Sequence, residues 1–205
     1  MGSEQIIITI AVIILIYIFV SIQYSTTHIF VMSTVDGKKY FVRDLVDKQI
    51  AADTLANVSM RMNTLVEKLV KKYRRSDTRV NRLHDIYLNK TELSESIPLK
   101  GITSYTLNKK NMRLCVRARD SHNKIIDVNT ILFVALHELA HIATVSIGHT
   151  DDFWENFRWI LAHAIDYNLY DYVDYAKHKQ RYCGIYITDT PFKLHELDKH
   201  LKIKE

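Results

Sequence analysis

Residues 130–146 read TILFVALHELAHIATVS, a run apolar nearly all the way round a helix yet holding His137, Glu138 and His141. Such a helix belongs in a protein interior, where each of those three polar groups is costly unless it has a partner. The spacing offers one. Residues i and i+4 share a helical face, so the imidazoles of His137 and His141 can converge on a single cation. Glu138, rotated by about 100° from His137, can reach a water on that cation without ligating it. This is the His-Glu-x-x-His arrangement of zinc peptidases, in which the metal lowers the pKa of a bound water toward ~7 and the Glu moves its proton. A superficially similar set, His195, Glu196 and His200, spaces its histidines five apart, so on a helix their rings diverge.

A zinc ion needs a third protein ligand. His149 follows Gly148 eight residues beyond His141, and a glycine there lets the chain leave the helix and fold back. Glu155 on the following helix, and Asp151 or Asp152, are the alternatives.

The rest of the chain supplies a frame. With 205 residues, 47% hydrophobic and 25% charged, it is expected to form one globular domain. Five Gly and two Pro exclude a low-complexity or collagen-like chain. The periodic spacing of Leu55, Val58, Met62, Leu65 or Val66, and Leu69 predicts a long helix over about 44–73. Asp77 caps a shorter helix burying Val80, Leu83 and Tyr87, and 91–101 reads as a loop broken by Pro98 and Gly101. Short strands are expected at 28–32 and 38–42. Residues 104–107 and 112–119 read as a β-hairpin, with Arg113, Cys115, Arg117 and Arg119 on one face. Asp127 or Asn129 opens the apolar helix and Gly148 ends it; Thr150 or Asp151 opens another carrying Phe153, Trp154, Phe157, Ile160, Leu161 and Ala164. Tyr167, Tyr170, Tyr172 and Tyr175 read as packing residues, any one of which could instead stabilise an oxyanion. A strand-like segment covers 182–188.

The N-terminus stands apart. From Gln5 to Val35 there is no Asp, Glu, Lys or Arg, and Ile6–Ile22 is almost wholly aliphatic or aromatic. About 25 Å of helix lies near the roughly 30 Å of a bilayer's hydrocarbon core, so residues 1–24 are expected to anchor the chain in a lipid membrane through 6–22. Residues 25–205 would form the metal-binding domain. Lys38, Lys39 and Arg43 after the span place that domain on the cytosolic side, and two apparently unpaired cysteines, Cys115 and Cys183, agree with a reducing compartment. Asn57 and Asn89 stand in potential glycosylation triplets that argue the other way. The basic residues at 71–82 and 109–119 are read as a solvated helix end and hairpin tip; without interleaved aromatics they do not point to nucleic acid.

HELAH followed by GHTDDFW resembles the small zinc metallopeptidases grouped as WLM and SprT-like. FVRDLVDKQIAADTLA from Phe41, the hairpin ending LCVRARD, and YCGIYITDTP extend the likeness to WLM-type proteins of large nucleocytoplasmic DNA viruses, over most of the chain after the anchor. The resemblance implies zinc on His137, His141 and His149, Glu138 as general base and acid, and an α+β zincin-like fold. In that fold the hairpin makes an edge strand above the metal, and the substrate is a protein or peptide. The interval from His141 to His149 is wider than is usual in WLM proteins. Two other functions remain open: a non-enzymatic membrane or virion protein with a structural zinc, and a DNA-associated protease.

Overall fold

The computed structural model describes residues 3–74, 76–89, 91–97, 103–107, 111–120 and 122–201. In chain order it contains α1 (Ser3–Thr27), β1 (His28–Met32), β2 (Lys39–Arg43), α2 (Lys48–Tyr73), α3 (Thr78–Arg82) running into a π-type turn (Leu83–Leu88), and β3 (Glu92–Glu95). Next come β4 (Tyr105–Leu107), β5 (Asn111–Leu114), α4 (Val128–Ala143), α5 (Asp151–Asp166), β6 (Gln180–Tyr182), β7 (Ile185–Ile187) and α6 (Leu197–Leu201).

Five strands form one sheet in the order β1-β2-β3-β5-β4, with β2, β3 and β5 mutually parallel and β1 and β4 antiparallel at the two edges. Tyr40 and Val42 of β2 and Met112 and Leu114 of β5 point into the helical layer and are buried there. Against them lies α2, whose inward stripe of Leu55, Val58, Met62, Leu65, Val66 and Leu69 is fully buried, as its three- and four-residue spacing predicts. The apolar α4 packs between α2 and α5, which is why it tolerates hydrophobic residues on nearly every face. Asp77 caps α3, accepting from the Arg79 amide, and Val80, Leu83 and Tyr87 turn inward.

Several expectations are corrected. The α+β architecture is present, but among the described residues no helix is long and apolar enough to cross a membrane. The transmembrane anchor over 6–22, the single-pass topology and the cytosolic placement built on it are therefore withdrawn; Met1, Gly2 and the side chains at 21–24 lie outside the described residues.

The cysteines are not unpaired. Cys115, just past β5, and Cys183, in the β6–β7 turn, form a disulfide across 68 residues of sequence. A window-by-window reading cannot see that pairing, and the argument from free thiols to a reducing compartment fails with it. Residues 91–101 read as loop, yet 92–95 form β3 in the middle of the sheet; 98–101 lie outside the described residues, as do the hairpin tip 108–110 and Arg75. Glu-Leu-Ser-Glu has little strand propensity, and its place is decided by its neighbours.

Arg117 is not part of a solvated face. It is 2% exposed, with Nη1 donating to both carboxylate oxygens of the buried Glu95 and Nη2 to Asp47 Oδ1 at 2.8 Å. A buried cation requires such partners. Arg79 pairs with Asp77, and Arg82 donates to the carbonyls of Ile142 and Thr144 at 3.0 and 2.9 Å. That last pair satisfies the C-terminal carbonyls of α4, which ends at Ala143 rather than running to Ser146. The segment 182–188 is the far half of a two-stranded hairpin, β6–β7, turning at Cys183-Gly184.

Candidate metal centre

The centre is built on the third turn of α4. Asp127 caps the helix, its carboxylate accepting from the Thr130 amide at 3.0 Å, and the four-residue spacing of His137 and His141 puts both on one face. The helix stops at Ala143. The following loop turns through Gly148, whose φ of +88° a side-chain-bearing residue rarely adopts, and returns His149 over the same face. Ligating nitrogens of His137, His141 and His149 all lie within 4.8 Å of one another, the one such cluster among the described residues. Nε2 of His149 stands 3.0 Å from Nε2 of His137, close to the ~3.3 Å that separates two nitrogens on a tetrahedral ion bound at about 2.05 Å.

Two features hold this geometry. The buried ring of Phe153, in the first turn of α5, floors the triad, with centroids 4.9, 4.2 and 4.8 Å from those of His137, His141 and His149. Asp152, one of the alternative ligands, instead braces the loop: both its carboxylate oxygens accept from Ser146 Oγ, at 2.8 and 2.7 Å, and it also accepts from Thr150. Those bonds draw the Asp152 carboxyl below its usual range. Neither Asp151 nor Glu155 joins the histidine cluster, and Glu155 lines a separate groove with Arg158 and His200. His195 and His200 of the chain's second His-Glu pair lie outside the cluster too.

The donor set suits a borderline cation. Burial, reinforced by the two neighbouring histidines, lowers the His137 imidazole to about 3, so it is neutral and available as a ligand at ordinary pH. His149 is exposed, which leaves the centre accessible from solvent.

Glu138 is 8% exposed and lies beside the triad but outside it. Burial raises its carboxyl above the usual range, and the hydroxyl of Thr106, donating to Oε2 at 2.9 Å, opposes that shift. Thr106 belongs to the edge strand β4, so the expected hairpin over the helix is present. Nothing in the local sequence pattern singles out the nearby Tyr182. Its hydroxyl, pushed upward by burial, pairs with Ser104 Oγ at 2.6 Å and accepts from the Cys115 amide at 3.1 Å. Tyr170 and Tyr175, two of the candidate oxyanion donors, are buried against Phe133, one helical turn before His137. The only sequence sign of Tyr182 is its place beside Cys183, and that has meaning only once the disulfide is known.

No protein-family profile matches the chain, and no solved structure matches it. Three viral proteins do. Uncharacterized protein 136R of Invertebrate iridescent virus 6 is 38% identical over 86 residues, 41% of this chain and 48% of that protein. Uncharacterized protein 042R of Invertebrate iridescent virus 3 is 48% identical over 68 residues, 33% of this chain and 42% of that protein. Uncharacterized protein R325 of Acanthamoeba polyphaga mimivirus is 32% identical over 198 residues, covering 93% of this chain and all of the mimivirus protein. With that extent of likeness the chain belongs to the family of viral proteins that includes R325.

Proposed function

We propose that this protein is a zinc-dependent metallopeptidase of the WLM and SprT-like kind, hydrolysing peptide bonds in a protein or peptide substrate. The observation that carries the reading is the convergence of His137, His141 and His149 with a buried carboxylate, Glu138, alongside them. A site serving stability alone has no use for a carboxylate at that position and closes its coordination with protein ligands. Here three imidazoles would hold the ion, and the ligand contributed by a loop is exposed.

When bound, zinc supplies a lowered pKa for an attacking water and polarisation of the scissile carbonyl. The chain's own residues do the rest. His137 and His141 would hold the ion from a rigid helix, His149 would complete the set from the braced loop, and Phe153 covers the rings from beneath. Glu138 takes the proton of the attacking water and delivers it to the leaving amine, a transfer suited to a carboxylate whose pKa burial has raised.

Zinc analysis of the purified protein, paired with a cleavage assay on a mixed peptide library, tests this. Wild type is expected to bind one zinc and to cleave. Glu138→Gln should keep the metal and lose at least ~10²-fold in turnover. Survival of turnover in Glu138→Gln, or absence of zinc binding by wild type, refutes the proposal.

A further inference from the structure

A carboxylate lodged in an apolar setting has few contacts to hold its plane, yet general-base catalysis depends on its aim. Thr106 meets Glu138 from outside α4, its hydroxyl donating to Oε2 at 2.9 Å. It stands at the centre of the three-residue β4, directly opposite Met112 of β5. Met112 is buried in the helical layer, and residues opposite one another share a sheet face, so Thr106 is turned toward α4.

Being at the sheet edge, β4 has a strand partner on one side only, and edge strands of three residues fray unless fastened. A fastening is present where β4 begins. Ser104 Oγ and Tyr182 Oη lie 2.6 Å apart, and the Cys115 amide donates to both, at 3.2 and 3.1 Å. Tyr182 is itself tethered, because the next residue, Cys183, is bonded to Cys115. Tyr182 is 1% exposed, so this node is shielded from competing water.

We infer that Thr106 is a positioning residue for Glu138, and that β4, pinned by the Ser104–Tyr182–Cys115 node, is the splint through which it acts. With Oε2 engaged by the hydroxyl, Oε1 is the oxygen left to serve the metal side. The inference rests on the metallopeptidase reading in one respect only, that Glu138 faces a group bound at the metal.

Acetohydroxamate binding to the full-length, zinc-loaded protein tests it without requiring a substrate. A hydroxamate chelates zinc and hydrogen-bonds to a neighbouring carboxylate, so its affinity reports where that carboxylate points. Thr106→Val is expected to weaken acetohydroxamate about tenfold at unchanged zinc affinity, and Thr106→Ser, which restores the hydroxyl, to recover it. Tyr182→Phe, which keeps Thr106 but releases the pin, should weaken it about threefold, and it serves as the test should Thr106→Val not fold. Wild-type affinity in Thr106→Val or in Tyr182→Phe overturns the inference, as does a failure of Thr106→Ser to recover binding. Glu138→Gln separates the two claims: it should bind acetohydroxamate at least tenfold more weakly, and wild-type affinity there would mean that Glu138 does not face the metal at all.

Discussion

His163 and His137 are both buried histidines, and the contrast between them shows what distinguishes a structural imidazole from a ligand. His163 lies on α5, wholly buried, its Nδ1–H donating to the Trp159 carbonyl at 2.9 Å and its Nε2 accepting from the Tyr73 hydroxyl at 2.7 Å. Both nitrogens are satisfied and none is left for a cation. His137 has its Nε2 beside another imidazole nitrogen, an arrangement that a shared cation resolves. Burial lowers the His163 pKa from 6.5 to about 4, with the Trp159 bond opposing and Lys72 adding to the drop. Above pH 6.5 the ring is neutral in both folded and unfolded chains and costs nothing. As pH falls from 6.5 toward 4 the unfolded chain takes a proton that the folded one refuses, so stability declines by about 3 kcal/mol in total from this residue. Urea denaturation at pH 7.5, 5.5 and 4.5 should show a decline in wild type, and His163→Gln, which offers acceptor and donor but does not titrate, should make it shallower, the remainder coming from the other buried histidines, His137 above all. Unchanged pH dependence in the variant would assign the decline to other groups.

At the scale of elements, α2 and α4 are legible in the amino-acid sequence alone. Their signals lie within one helix: Leu55 to Leu69 repeat with the helical period, and His137 and His141 are one turn apart. The central strand β3 is not legible, because ELSE has no strand pattern of its own and is held by pairing with β2 and β5 on either side. Arg117 misleads for a related reason. Alternation places it on a polar hairpin face, while Glu95 and Asp47, 22 and 70 residues away, draw it into the interior. The β6–β7 hairpin depends most on covalent chemistry, since among the described residues its three-residue strands pair with each other alone and the disulfide joins its turn to the end of β5. Closing a loop of 68 residues removes about 4 kcal/mol of unfolded-chain entropy at 25 °C. Reduction with dithiothreitol should therefore lower the unfolding free energy by up to about 4 kcal/mol, and Cys115→Ala/Cys183→Ala should match the reduced wild type. Equal stability of oxidised and reduced protein in urea titrations would remove the clamp from the energetics.

Across the whole molecule, the metal centre draws on parts that are otherwise independent. His137 and His141 sit on a helix packed by α2 and α5, His149 on a loop braced by Asp152, and Glu138 under an edge strand. The large core around α2, α4 and α5 forms without any metal ligand, so chelation with EDTA should leave far-ultraviolet circular dichroism unchanged. Zinc bound as proposed would require the assembled site, because its three ligands come from a helix and from the loop after it. At a free concentration 100 times its Kd it should add about 2.7 kcal/mol of stability, and His149→Ala should lose most of that increment. A chain that unfolds on chelation would point to a structural zinc instead.

What the sequence determined by itself is what a single helical turn can encode: two histidines and a glutamate at fixed angles, and the apolar surroundings that require them to have partners. Even His149 could be nominated, because a glycine marks where the helix can turn back. Only the tertiary structure decided which residues meet across long separations: Thr106 with Glu138, Cys115 with Cys183, Arg117 with Glu95 and Asp47. The reason is physical. Rise and twist per residue are fixed by local backbone geometry, so local spacing carries over directly into space. A contact between distant residues depends on how every intervening element packs, and no window of sequence contains that sum.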